Sequence, residues 1–429
     1  PNPNKFNVGF IARLPKLLDP SILRQALRVV IEHHHALRLR FRRSPDGEFR
    51  QRYESNSDVF DVPIHAFRLP TGDDGARLAL IEAQVARLHD SLDIDDGPVM
   101  TVGLFEDPAG ADHHFFFTMH ELVTDAMSLQ ITLEDLRTAY TALAADHRPL
   151  LPAPTTPFHQ WVDRVVDYAR GPAAAAQWVY WLEQARDVYP FPEDDADAAA
   201  LQSDIDLLGF EILSRDEVDA IRNRLAGGFQ STLIHAIVAG LALAAHRISG
   251  QRNLVFHKVA HGRETCIPGT DVSRTVGWFI THTPITVRLP DGPLEGAAAL
   301  ARVLDRTAEQ YRAIPDNGLA HSALRYFSDD PRTTELARFD QVKTLFQYIG
   351  DVWEENYDGT LFQPTAPSLM DLPDTVAAEN QADYHLHVYA YVMDGCFRMK
   401  LFYTRPNHRR ESVERMASLV RESIRGMLC

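Results

Sequence analysis

Residues 115–119 read Phe-Phe-Phe-Thr-Met, a run too continuously apolar for a strand with one face in water. It predicts a central strand covered on both sides. An abrupt polar turn follows, His120-Glu121-Leu122-Val123-Thr124-Asp125-Ala126. Beyond it Leu129, Ile131, Leu133, Leu136, Tyr140 and Leu143 repeat at the spacing of an amphipathic helix. The turn therefore sits where the central strand ends, and its His, Glu and Asp are the first candidates for chemistry.

The rest of the chain builds around this unit. Asp19-Pro20 is a helix opening, a carboxylate cap and a ring pre-set for the first turn, and Leu23, Ala26, Leu27, Val30 and Ile31 form one apolar face that packs on a sheet. LRLRF (37–41) and TVGLF (101–105) read as strands, as do 207–213, 253–259, VKTLFQYIG, YHLHVYAYVMDG and CFRMKLFYT. Helices are expected around 161–169, 173–184, from Thr232 and from Glu411, and the acidic PEDDADAAA segment reads as an exposed loop. Four prolines in RPLLPAPTTP (148–157) mark a lobe boundary, which gives lobes of 1–150 and 151–429. Such a mixture in two parts predicts two α/β sandwiches.

Composition narrows the function. With 59 acidic and 43 basic residues the chain carries a net charge of -16, which argues against nucleic acid or an anionic membrane as the main partner. The apolar stretch 233–248 is interrupted by His235, His246 and Arg247 and is too short for a bilayer, so it reads as a core helix. The opening PNPNKFNVGF lacks the pattern of a signal peptide. Cys266, Cys396 and Cys429 have no CxxC or metal spacing and suggest reduced thiols in a cytoplasmic protein. His120-Glu121 is not an HExxH zinc site, because position 124 is Thr. His33, His34 and His35 read as a solvated helix end, no GxSxG elbow or phosphate loop is present, and no bound metal or cofactor is expected.

The segment DHHFFFTMHELVTDAMSLQITLEDL resembles the HHxxxDG region of condensation and epimerization domains of nonribosomal peptide synthetases. QWVYWLEQ (177–184), HGRETCIPGTDVSRTVGWF (261–279), IPDNGLAHSALRYF (314–327) and TLFQYIGD (344–351) resemble the epimerization branch in particular. Together these segments cover nearly the whole chain. The resemblance implies two chloramphenicol-acetyltransferase-like sandwich lobes forming a V-shaped pseudodimer, with the motif lining a tunnel for carrier-bound substrates. The opening PNPNKFN is similar to a segment some way inside such domains, which implies a further helix ahead of residue 1.

Departures from the family carry as much information. Its second motif His performs the proton transfer, and here that place holds Glu121; the Gly is Ala126, which adds a methyl where substrate approaches closely. The family's EGHGRE has become Val259-Ala260-His261-Gly262-Arg263-Glu264, so the second proton-transfer group is Val259. His120 is the family's structural His. Asp125 is its structural Asp, with Arg38 the expected charge partner. A Glu in water is ionised at neutral pH and shuttles protons poorly, unless burial raises its pKa to about 6–7.

Losing both groups suggests a degenerate site and a non-enzymatic role. The closest functional analogue is the X-domain of glycopeptide antibiotic synthetases, whose altered motif, HRxxxDD, differs from the one in this chain. The resemblance then implies cytochrome P-450 oxygenases as partners, with peptidyl carrier protein and thioesterase domains adjacent. The cofactors it implies belong to those partners, phosphopantetheine on the carrier and haem in the oxygenase. The alternative is an active condensation or epimerization enzyme with Glu121 as its base.

Overall fold

The computed structural model describes every residue except 1, 56–60, 111, 188, 226–227, 352–360, 364–374 and 429. The chain divides into two compact units. The first comprises residues up to Asp163, the segment Pro268–Phe279 and the described residues within 353–380; the second comprises the remainder. The first lobe thus runs past the expected limit at 150 and takes back two later segments. Prolines 149–157 do end a helical region, but backbone and side-chain hydrogen bonds draw 268–279 onto the first unit, and proline content cannot report such a return.

The first unit is built on a four-stranded sheet in the order β1-β6-β5-β4: β1 (Asn7–Leu14), β4 (Ile64–Arg68), β5 (Met100–Glu106) and β6 (His113–His120). All eight residues of β6 are buried. Its alternation explains why. Phe115, Phe117 and Met119 enter the core shared with helices α1 (Pro20–His33) and α3 (Ala126–Ala144), while Phe116 joins Ile81, Val85 and Leu88 of α2 (Asp74–Asp90) on the opposite face. The apolar run is thus a strand sandwiched between helices. At the start of α1, Asp19 accepts from the amides of Ser21 and Ile22 at 2.7 and 3.1 Å, with Pro20 at the first helical position.

LRLRF is only partly a strand. Residues His35–Arg38 make a 3-10 turn, and β2 (Leu39–Arg43) pairs with β3 (Phe49–Tyr53) alone, outside the main sheet. Ala36 and Leu37 are consecutive and both buried in the α1/α3 core, which an alternating strand does not allow.

The second unit holds six strands in the order β7-β12-β11-β10-β8-β9: β7 (Ile205–Leu213), β8 (Asn253–Ala260), β9 (Thr281–Arg288), β10 (Thr344–Asp351), β11 (Leu386–Met393) and β12 (Cys396–Thr404). The parallel strand β10 lies between β8 and β11. The apolar helix Phe229–Ser249 lies in the core as expected, packed on the closing helix Arg410–Leu428. Gly240 permits that approach, because an added Cβ would lie 3.1 Å from Ile424. The helix expected over 173–184 is broken into Pro172–Ala175 and Trp178–Gln184, the second anchored by buried Trp178 and Trp181.

Phe117 is fully buried at the middle of β6. Phe117→Ala is expected to lower stability by about 3–5 kcal/mol through lost transfer energy and the cavity left behind. Urea denaturation of the two proteins checks it.

Candidate functional site

The turn after β6 is held by backbone bonds before any side chain acts. The amide of His120 donates to Val99 at 2.9 Å and that of Glu121 to Phe6 at 2.8 Å, which carries the strand pairing one residue past its end. Glu121–Val123 then form a 3-10 turn, and Asp125 caps α3. His120 is 1% exposed. Its Nδ1 accepts from the Leu122 amide at 3.1 Å, which leaves the proton on Nε2, 2.9 Å from the Pro3 carbonyl. Burial lowers its pKa, so it is neutral with both nitrogens committed to backbone.

Glu121 is partly buried, and burial alone pushes its carboxyl up to about 7. Among the described residues no cation or hydrogen-bond donor reaches that carboxyl. The picture of a solvated or salt-bridged anion does not describe it; at neutral pH a large share of the population carries the proton. Leu122 and Met127 are both exposed, and Ala126 is exposed at the first position of α3.

Asp125 is buried and divides its two oxygens. Oδ1 accepts from the Ser128 amide at 2.7 Å and caps the helix, while Oδ2 accepts from the Phe279 amide at 3.0 Å. The Ser128 hydroxyl reinforces the second contact, donating to the Gly277 carbonyl at 2.7 Å and accepting from its amide at 3.1 Å. A Cβ at Gly277 would fall on the ring of Phe158, so the returning segment needs glycine there. Arg38 closes the 3-10 turn, and its carbonyl accepts from the Glu54 amide at 2.9 Å.

The second sequence candidate belongs to the other unit. Val259 is half-buried in β8, directly across the antiparallel ladder from His282 of β9. Sequence reasoning missed the groups around it. The Tyr384 hydroxyl lies 3.0 Å from His257 Nδ1 and 2.9 Å from His282 Nδ1, and burial depresses His257 to about 4 and lowers His282 as well. Nearby, Lys258 Nζ donates to Asn317 Oδ1 at 2.6 Å and Asn317 donates to Glu264 at 2.8 Å. The alternating pattern of β8 was the available signal, since it sets His257 and Val259 on one face, but no spacing rule links them to Tyr384.

Of the three histidines at the end of α1, His35 is exposed but His34 is not part of a solvated end. His34 is buried, with Nε2 2.7 Å from Asp135 Oδ2, and Arg274 of the returning segment holds the other Asp135 oxygen at 2.7 Å. His33, His34 and Asp135 are close enough to hold a metal ion, but the Arg274 guanidinium on the shared carboxylate opposes a second cation. Cys266 and Cys396 are free thiols, and burial pushes Cys266 up to about 11, which removes it as a nucleophile at neutral pH. Cys429 lies outside the described residues.

The chain matches the condensation-domain family over residues 1–428. It is 30% identical over 356 residues to a linear gramicidin synthase of Brevibacillus parabrevis, covering 82% of this chain and 4% of that protein. It is 24% identical over 430 residues to a mycosubtilin synthase of Bacillus subtilis, covering 100% of this chain and 16% of that protein. The chain therefore spans a small part of these curated relatives. Its fold is similar to the epimerization domain from the third module of tyrocidine synthetase B, with a TM-score of 0.86 at 22% identity over 99% of this chain and 93% of that one. It is also similar to SgcC5 from Streptomyces globisporus, with a TM-score of 0.70 at 17% identity over 98% and 91%. These likenesses establish two α/β lobes of the condensation-domain type.

The site makes two predictions. The native Glu121 carboxyl holds its proton more tightly than an unfolded one, so its contribution to stability falls as pH rises from about 4.5 to about 7. Glu121→Gln is expected to abolish that slope, worth up to about 3 kcal/mol. Urea melts across this range test the slope, and carbon NMR of the wild-type carboxyl should titrate near pH 7; a midpoint near 4.5 would show a solvated anion. Asp125→Ala should cost about 3–5 kcal/mol, since it orphans two buried amides and any buried counter-charge. A double-mutant cycle with Arg38→Met measures that pairing: coupling of about 1–3 kcal/mol supports it, and additivity dissolves it.

Proposed function

This chain belongs to the condensation-domain family of nonribosomal peptide synthetases, and we propose that it is a non-catalytic member that recruits cytochrome P-450 oxygenases to the carrier-bound peptide. In this reading it resembles the X-domains of glycopeptide antibiotic synthetases and works beside a peptidyl carrier protein and a thioesterase domain. The phosphopantetheine and haem belong to those partners. The observation that carries the reading is the condition of the proton-transfer positions. Glu121 stands where the family has its proton-transfer His, the remaining motif residue His120 has both nitrogens tied to backbone, and Val259 is an aliphatic side chain where the family's epimerization branch places a carboxylate. Removing a proton from one face of a peptidyl thioester and returning it to the other requires two such groups.

A second reading has its own support. A carboxyl near 7 with no partner among the described residues has the properties of a general acid or base at neutral pH, so Glu121 is the group through which an active condensation or epimerization enzyme would work. Chiral analysis of a peptide offloaded from the carrier separates the two. The recruiting role predicts no exchange in wild type. Exchange that disappears in Glu121→Gln establishes the enzyme.

Recruitment itself is measured by calorimetry or gel filtration with the oxygenases of the same biosynthetic cluster. Binding should weaken as salt rises, because charged rims act largely through association rate and are screened over about 10 Å at 0.1 M salt. Restoring Glu121→His and Val259→Glu should leave it unchanged, since both positions are largely interior. No complex at tens of micromolar protein and low salt, with any of those oxygenases, refutes the role.

A further inference from the structure

The first unit contains a polar cavity that none of the chemistry above uses. It encloses about 350 Å3, at the small end of the range for ligand sites, about 300–1,000 Å3. Arg40, Arg52, Glu54, Asp61, Asp95 and Asp96 supply its charged wall. All four carboxylates are engaged. Arg52 holds Glu54 at 2.7 Å, Arg24 holds Asp61 at 2.7 Å, and Arg42 holds Asp95 at 2.7 Å and Asp96 at 3.4 Å.

Arg40 is different. It is 6% exposed, its Nη1 donates to the Leu39 carbonyl at 2.8 Å, and among the described residues no carboxylate reaches it within ion-pair distance. Its guanidinium lies against Gly97, where φ is 88° and an added Cβ would come within 2.6 Å of Nη2, so the bare backbone at 97 is what opens the slot. A guanidinium does not shed its charge when buried; Glu54 and Asp93 attract it only from beyond ion-pair distance, and a buried cation without a directly paired carboxylate is a costly arrangement to keep.

We propose that this cavity binds a small carboxylate ligand of amino-acid size, whose carboxylate forms with Arg40 the bidentate pair that no described carboxylate supplies. The planar fork of a guanidinium matches a carboxylate edge to edge. The ring of four acidic side chains decides against phosphate, because repulsion grows with ligand charge and a phosphate dianion meets about twice that of a monoanion. Val99 lies in the same wall, and its carbonyl accepts from the His120 amide at 2.9 Å, so the cavity backs onto the turn that carries Glu121.

The test titrates N-acetylglycinate, its uncharged amide and inorganic phosphate separately into the full chain at low salt. Calorimetry should show carboxylate binding, with the amide and phosphate weaker by about tenfold or more. Arg40→Gln should weaken carboxylate binding by about tenfold or more, while Arg52→Gln, already neutralised by Glu54, changes it by less than about threefold. Equal binding of carboxylate and amide, unchanged affinity in Arg40→Gln, or no binding at all overturns the site; tighter phosphate binding overturns the ligand class. Should Arg40→Gln fail to fold, the Arg40 Nε–H resonance of the wild-type chain replaces it. That signal must move with the carboxylate and not with the amide, and a static signal overturns the site equally. No oxygenase enters the measurement, so its outcome is independent of recruitment.

Discussion

The carboxylate of Asp125 is the constraint on which the site depends. One oxygen starts α3 and the other holds the amide of Phe279, a residue 154 positions later in the chain. The helix carrying the apolar face against β6 and the segment that returns to cover it are thus fixed by one buried group. Neither bond is strong alone, since a typical intramolecular hydrogen bond contributes about 0.5–1.5 kcal/mol net. The asymmetry matters more: with the carboxylate gone, two buried donors lose their acceptors together, far from water that could replace it. The Ser128 hydroxyl and the bare backbone of Gly277 are fitted to the same contact, so substitution at any of the three is felt by the other two.

Glu121 lies four residues away and follows a different rule. Its backbone helps to hold the turn, while among the described residues its carboxyl makes no bond. Its chemistry is therefore set by surroundings rather than by partners. The end of a fully buried strand and the turn around it withdraw water from the carboxyl, and desolvation moves it from an anion toward a neutral acid. A histidine in the same place would be pushed the opposite way, as the lowered pKa of neighbouring His120 illustrates. The environment thus favours the uncharged form of either residue.

The strands and helices were legible where one periodicity ruled a whole segment. The Phe115–Met119 run, the capped helix after Asp19 and the apolar helix 229–249 are of this kind, because their burial is complete or one-sided and the pattern records it. LRLRF misled because Leu37 and Arg38 belong to a 3-10 turn, and Leu39, Arg40 and Phe41 are all buried although their letters alternate. The lobe limits misled because a returning segment carries no local signal of its destination. At the site, the motif made His120, Glu121 and Asp125 legible as candidates. The desolvation of Glu121, the Asp135 bridge between His34 and Arg274 and the Tyr384 link between His257 and His282 were not. Each depends on residues distant in sequence meeting at a few ångströms.

A division of labour follows from these placements. The residues that hold the scaffold, Asp125, Ser128 and Gly277, are tied to one another and to the Phe279 amide. The two positions tied to proton transfer, Glu121 and Val259, contribute no side-chain hydrogen bond to the fold among the described residues. Selection on chemistry and selection on folding therefore act on separate sets of side chains. Side chains at these two positions are replaceable without loss of shape, because their atoms are not part of what holds the shape together. That separation is the physical reason why an intact core here carries no information about activity, and why activity has to be read from the protonation of Glu121 itself.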